Sequence, residues 1–392
     1  MSFTRRAFLR FGGSGLAAGS LLASLSCARQ TSAPAPVDAH PEWAARISEL
    51  EKQIQASMRT RQVPGVSIAV IRDADIAWTG SFGVRDRASG VPVDAATVFS
   101  AQSMSKPVFA YRVMTLCEQG VLDLDAPLTR YTRDVFVPGD PRLHEITARR
   151  VLSHTTGLPA WRSSDTPLRI NFTPGSKWSY SGEAYNYLQS VVSRLTGRID
   201  ETDCATFEMD HRACASDFGQ FMETTLLRPF GMASSGYAWT PAMQRALATP
   251  HDISGQPLPN VPPSGAAIGR YGAAGALMTT ATDFARFLIE VMQPHPAGEH
   301  RLNEASRKEM LTPQIAAATS PRKMSWALGW QIWHLEQGDV VAHGGDYTGW
   351  HSQSAFSPDR KSGFVILTNG EGGAALIWTD LLKPLLDATV FA

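Results

Sequence analysis

The sequence predicts an α/β protein with an antiparallel sheet built from both chain ends, flanked by helices, and an inserted, mainly helical subdomain. Three observations predict it. Apolar runs with strand character lie early, at Val66–Ile71 and Ile76–Trp78. Others lie late, at Ala327–Leu335, Val340–Ala342, His351–Ser357 and Gly363–Leu367. The section between them carries 3.6-residue apolar periodicity over 104–119, 183–196, 216–228, 281–293 and 303–311. Helical patterns also bracket the strands, from about Glu42 to Arg61 and from about Ala374 to Thr389. Strands contributed by both ends fit one sheet, and a cleft between sheet and insert is the natural place for a site.

Each element has a local reason. Ile47, Leu50, Ile54 and Met58 recur at helical spacing, and Pro64-Gly65 ends that helix. The two early strands meet at a turn, Asp73-Ala74-Asp75. Within 104–119, Cys117 continues the apolar pattern of Val113, Met114 and Leu116 and reads as a buried free thiol. Of Trp161, Phe172, Trp178, Tyr185, Tyr237, Trp239 and Trp350, most are expected in the core and a minority along the cleft.

The first 28 residues read as an export signal. Arg5, Arg6 and Arg10 precede a short, glycine-rich apolar stretch from Phe11 to Ser26, followed by small residues around Cys27. The Arg5-Arg6 pair before Phe8-Leu9 has the form of a twin-arginine signal, which places the product outside the cytoplasm, in the periplasm of a bacterium. The stretch is too short to span a bilayer, so membrane contact is expected only if Cys27 is lipidated. Residues 29–40 form a Pro/Ala/Ser tether, and 41–392 form the working domain. Cys204 and Cys214 bracket a short polar segment that a disulfide, permissible after export, would staple as a loop. That segment holds Glu201, Asp203, Glu208, Asp210 and His211 and reads as a solvated acidic loop. No His/Cys cluster has zinc-ligand spacing, so no metal and no cofactor are expected.

Lys+Arg and Asp+Glu number 36 each, for a net charge of zero. Nucleic-acid binding requires a concentrated basic face, so nucleic acid is excluded as a partner. A small-molecule partner is expected instead.

The chemistry is carried by three short segments. In Ser103-Met104-Ser105-Lys106, positions i and i+3 of a helix share a face, so the Lys106 amine falls beside the Ser103 hydroxyl. A serine alcohol needs such a base to become a nucleophile, and a lysine serves only if its pKa is lowered. The tetrapeptide alone is common by chance. In Lys177-Trp178-Ser179-Tyr180-Ser181-Gly182, Tyr180 is placed to share base duty and protonate a leaving group, provided cations hold its phenol pKa down. In His343-Gly344-Gly345-Asp346, at a strand end, the glycines admit a ligand close to the backbone. The Asp346 N–H together with that of Ser103 would make an oxyanion hole.

In this order the three segments resemble the penicillin-recognising serine hydrolases. The resemblance is to the branch that holds class C β-lactamases, D-alanyl-D-alanine carboxypeptidases, D-aminopeptidases and related esterases. It extends through Val151–Pro159, Pro174–Ser181, Arg228–Met232, Gly272–Thr280 and Phe364–Asn369, spanning about residues 42–388. It implies a β-lactamase/transpeptidase-like fold, Ser103 as acylated nucleophile, Lys106 as its base and Tyr180 as proton relay. His154, in one of these landmarks, reads as a structural hydrogen-bonding histidine. Three positions depart from the pattern. Gly182 stands where the family usually has an asparagine that binds an acyl-amide group. His343 stands where many members have a lysine that pairs with a substrate carboxylate. Asp346 puts a carboxylate where a small or hydroxyl residue is usual. These departures favour neutral esters or amides, or a substrate with an amine for Asp346. The expected activity is therefore carboxylesterase-like or D-aminopeptidase-like. β-Lactamase or D,D-carboxypeptidase activity is the alternative within the enzyme class, and a non-catalytic envelope binding protein is the alternative outside it.

Overall fold

The computed structural model describes residues 41–132, 136–162, 166–196, 218–259, 271–293, 298–320 and 322–392. The export signal, the tether, Cys27 and the Cys204–Cys214 segment lie outside the described residues. The chain opens with helix α1 (Pro41–Arg61), then strands β1 (Gly65–Arg72), β2 (Asp75–Asp86), β3 (Val91–Pro92) and β4 (Phe99–Ser100). Helices α2 (Ser105–Glu118), α3 (Gly182–Leu195), α4 (Ala281–Met292) and α5 (Glu304–Leu311) follow, with strand β5 (Met278–Thr279) just before α4. Strands β6 (Ile315–Ala318), β7 (Met324–Trp326), β8 (Gln331–Leu335), β9 (Gly338–Tyr347), β10 (Trp350–Ser357) and β11 (Ser362–Thr368) return to the sheet. A closing helical run, α6 (373–390), contains wider turns at Leu376–Leu381 and Leu386–Val390.

Nine strands form one antiparallel sheet in the order β3-β2-β1-β11-β10-β9-β8-β7-β6. The two chain ends meet where β1 pairs with β11, Val66 opposite Thr368 and Ile71 opposite Gly363. Both strands are buried on both faces, and the period-2 alternation of a strand divides their side chains between two cores. Val66, Ile68 and Val70, with Phe364 and Ile366, pack under α1 and α6; Ala69, Ile71, Val365 and Leu367 face the inserted helices. The molecule is thus three-layered, helix on sheet on helix.

Three boundaries differ markedly from the sequence reading. The strand read at Ile76–Trp78 runs from Asp75 to Asp86. The apolar run at 327–335 is not one strand, because Ala327–Trp330 folds into a turn with Gly329 at φ +85° between β7 and β8. The strand read at Val340–Ala342 continues through the glycine pair to Tyr347, so His343–Asp346 lies within β9. Among the described residues no helix is long and apolar enough to cross a membrane.

Candidate active site

Ser103 sits in a tight helical turn, Gln102–Met104, directly before α2. That turn is clamped from two sides. From the insert, β5 pairs with β4, the Ala101 N–H donates to Leu277 O at 2.8 Å, and Ser105 Oγ accepts from the Leu277 N–H at 2.9 Å. From the sheet, Ser352 Oγ donates to Ala101 O at 3.1 Å. Gln102 adopts φ +49°, a left-handed backbone that costs a non-glycine residue free energy, and the two clamps hold it there.

α2 is buried on every side from Ser105 to Leu116, which carries Lys106 into the interior. Its Nζ lies 3.2 Å from Ser103 Oγ and donates to Ala274 O at 2.6 Å. Burial without a neighbouring carboxylate disfavours the ammonium and lowers the lysine pKa from 10.5 to about 7. The free-amine form is therefore accessible near neutral pH.

Tyr180 precedes the cap of α3. The Ser181 side chain accepts from the Ala184 N–H at 3.0 Å, and the Ser181 N–H donates to His154 Nδ1 at 3.0 Å. The phenol is close enough to Ser103 for that side chain to lower its pKa somewhat, and its ring lies 4.8 Å from Lys106 Nζ. His154 stacks on it at 4.3 Å, and Trp326 stands edge-on at 5.8 Å. Burial raises the phenol pKa above its ordinary value. This corrects the expectation that cations would hold it down: removal from water, with the Asp346 carboxylate, outweighs the lowering by Ser103, and the neutral phenol is favoured. His154 is buried, has its pKa pushed down by desolvation, and takes the structural role read from the sequence.

The glycine pair brings β9 against the serine turn. A Cβ on Gly345 would lie 2.2 Å from Ala101 O, so only glycine permits this approach. Two-residue turns close the β8–β9 and β9–β10 hairpins at Leu335–Gly338 and Tyr347–Trp350. Closing pairs of such hairpins are hydrogen-bonded, and the pattern alternates along each ladder. Residues 338, 340 and 342 therefore direct their peptide groups toward β8, and Gly344 and Asp346 direct theirs to the same side. β8 ends opposite Ala342, where Gln331 pairs with it, so the peptide groups of Gly344 and Asp346 point into the cleft.

His343 is buried on β9, and desolvation takes its pKa to about 3. Its Nδ1 donates to Gly344 O at 2.7 Å, which leaves Nε2 as a bare acceptor without a protein partner. It offers neither a cation nor a donor to an anion. Asp346 does not present a solitary carboxylate either. His351, directly across the ladder, meets Asp346 Oδ1 through Nδ1 at 2.7 Å and stands 3.9 Å from Glu371 Oε2 through Nε2. That contact engages one oxygen of Asp346, whose side chain stays largely exposed on the cleft wall.

These groups line a cleft of about 1110 Å³ between sheet and insert. Trp161, Trp239 and Trp350 line it; Tyr185 and Tyr237 are core, and Phe172 and Trp178 do not reach it. No lysine or arginine is among the described residues on its wall; Lys106 approaches Ser103 from beneath. Cys117 is a free thiol that packs half-buried against the core rather than fully within it, and desolvation raises its pKa to about 12. Sequence reasoning missed the Ala274 carbonyl, the strained Gln102 and the His351 pairing, all of which depend on contacts between distant segments. The packing of Trp161 on Gly182 was equally invisible.

The chain is similar to several known proteins. A family model described as Beta-lactamase matches residues 50–382. Esterase EstB of Burkholderia gladioli is 26% identical over 344 residues, covering 73% of this chain and 79% of that protein. Penicillin-binding protein 4 of Amycolatopsis lactamdurans is 25% identical over 372 residues, covering 88% and 89%. The crystal structure of the D-alanine carboxypeptidase AmpC from Burkholderia cenocepacia superposes with a TM-score of 0.70 at 19% identity, covering 88% of this chain and 98% of that one. The matched span takes in both halves of the sheet, the serine turn and the insert, and on that extent the chain belongs to the beta-lactamase family of serine hydrolases.

Proposed function

We propose that the protein is an esterase-like serine hydrolase that cleaves a neutral ester or amide through an acyl-enzyme on Ser103. The observation that carries the reading is the buried Lys106 amine, 3.2 Å from Ser103 Oγ, with its pKa brought to about 7. In the forward half, the Ser103 hydroxyl gives its proton to the Lys106 lone pair as Oγ attacks the carbonyl carbon. The oxyanion is held by the Asp346 N–H on the free edge of β9 and the Ser103 N–H. The C–O or C–N bond breaks, and the leaving group takes the Tyr180 phenol proton while Tyr180 recovers one from the Lys106 ammonium. Water then attacks the acyl-serine carbonyl as it passes a proton to Lys106; the C–Oγ bond breaks, Ser103 Oγ takes the Tyr180 proton, Tyr180 recovers one from the Lys106 ammonium, and the acid departs.

Two features favour neutral substrates over carboxylate-bearing β-lactams or peptides. His343 is driven to its neutral form with its Nε2 buried, and no described wall residue supplies a cation, so a substrate carboxylate would be desolvated without a partner. The likeness to Esterase EstB points the same way. The twin-arginine leader supports export to the periplasm. The test is a panel of short-chain p-nitrophenyl esters, D-amino-acid p-nitroanilides and a chromogenic cephalosporin, each with wild type and Ser103→Ala. Ester turnover abolished by Ser103→Ala is the expected result; cephalosporin turnover well above ester turnover would refute the preference.

A further inference from the structure

Among the described residues, five large hydrophobic side chains are exposed: Val121, Trp161, Ile253, Tyr347 and Trp378. Trp161, Tyr347 and Trp378 line the same cleft. Apolar surface left in water at a concave site marks the place of an apolar ligand group. Trp161, 47% exposed, is the one set beside the reacting groups, its ring centre 5.9 Å from Lys106 Nζ. Tyr271 supports it edge-to-face at 5.3 Å.

What places the indole there is the absence of a side chain at 182. A Cβ on Gly182 would lie 2.4 Å from two carbons of the Trp161 ring. Gly182 has no positive φ and its N–H is satisfied by Ala160 O at 2.8 Å, so its backbone makes no demand for glycine. The demand is for space. Where a side chain at this position would offer the substrate a polar group, this chain offers an aromatic face.

We infer that Trp161, seated on Gly182, is the specificity wall that receives an uncharged, apolar acyl chain of the substrate. The inference rests on the Ser103 acyl-enzyme reading. Lengthening the acyl chain lays successive methylenes on the indole and removes exposed apolar surface from water, so the rate constant rises with chain length. Gly182 acts through Trp161 and is a positioning residue.

The experiment measures kcat/KM for p-nitrophenyl acetate, butyrate and hexanoate with wild type, Trp161→Ala, Trp161→Phe, Gly182→Asn and the Gly182→Asn/Trp161→Ala double variant, with thermal melts as a folding control. The expected hexanoate/acetate ratio is at least tenfold in wild type, near unity in Trp161→Ala, and intermediate in Trp161→Phe. Gly182→Asn lowers the ratio as Trp161→Ala does, and the double variant matches Trp161→Ala, because both changes act on one contact. If Gly182→Asn fails to fold, the two Trp161 variants decide alone. A ratio within twofold of wild type in Trp161→Ala overturns the inference. If that occurs while Ser103→Ala abolishes turnover, only the wall is wrong; ester turnover surviving in Ser103→Ala removes the acyl-enzyme reading and the inference with it.

Discussion

At the scale of single residues, the site works by removing charge. Lys106 and His343 are both buried and both driven toward their neutral forms, and Tyr180 is driven toward its own neutral form. The lysine bears a cost. Its pKa is 10.5 unfolded and about 7 folded, so below pH 10.5 unfolding gains a proton and the native state is penalised. The penalty grows as pH falls and is complete below about 7. Lys106→Met removes that charge cost, on the order of a few kcal/mol at neutral pH, against about 1 kcal/mol for the unpaired Ala274 carbonyl. A rise in Tm accompanied by a loss of about 10³ or more in kcat is therefore expected, and differential scanning calorimetry with ester kinetics checks it. His343→Lys places a second amine near the first. Like charges disfavour each other, so the acidic limb of kcat/KM against pH should move below 7, and carboxylate-bearing substrates should gain affinity.

At the scale of elements, the site depends on how closely β9 approaches the serine turn. Gly345→Ala puts a methyl group into Ala101 O, so either β9 or the turn must retreat. A fall in kcat of at least about 10² is expected from a displacement near 1 Å, with a stability loss of about 1–3 kcal/mol in urea unfolding. Gly344→Ala meets Gln353 Oε1, the end of a flexible side chain, and should cost less. The elements were largely legible in the sequence because apolar periodicity reports burial directly. Ser103 and Lys106 were legible because i and i+3 meet on any helix. The path of Ala327–Trp330 was not, because a buried apolar run reads alike as strand or as packed turn. Nor were the tuning contacts: the phenol pKa of Tyr180 follows from His154 and Trp326 closing over it, and Asp346 meets His351 through strand pairing.

At the scale of the whole molecule, the two chain ends close the sheet, and the outer core belongs to α1 and α6. Trp43, Ile47, Leu50 and Ile54 of α1 pack there with Leu376, Ile377, Leu381 and Leu385 of α6. Arg61 and Asp380 join the two helices through paired hydrogen bonds at 2.9 and 2.6 Å. Deleting residues 373–392 would uncover the outer faces of β1 and β11 and remove Trp378 from the cleft, although Ser103, Lys106 and Tyr180 lie on the other side of the sheet. Loss of cooperative thermal unfolding together with activity is the expected outcome, read by circular dichroism. An active, cooperatively folded truncation would show that the outer layer is dispensable.

The central claim is that a neutral Lys106 amine activates Ser103, and the rate of phosphonylation by a fluorophosphonate probe measures it most directly. Followed by intact-protein and peptide mass spectrometry across pH 5–9, wild type should label at Ser103 with a rate that rises through a midpoint near 7 and then levels. Lys106→Met should label slowly. A pH-independent rate in wild type, or equally fast labelling of Ser103 in Lys106→Met, would contradict the account.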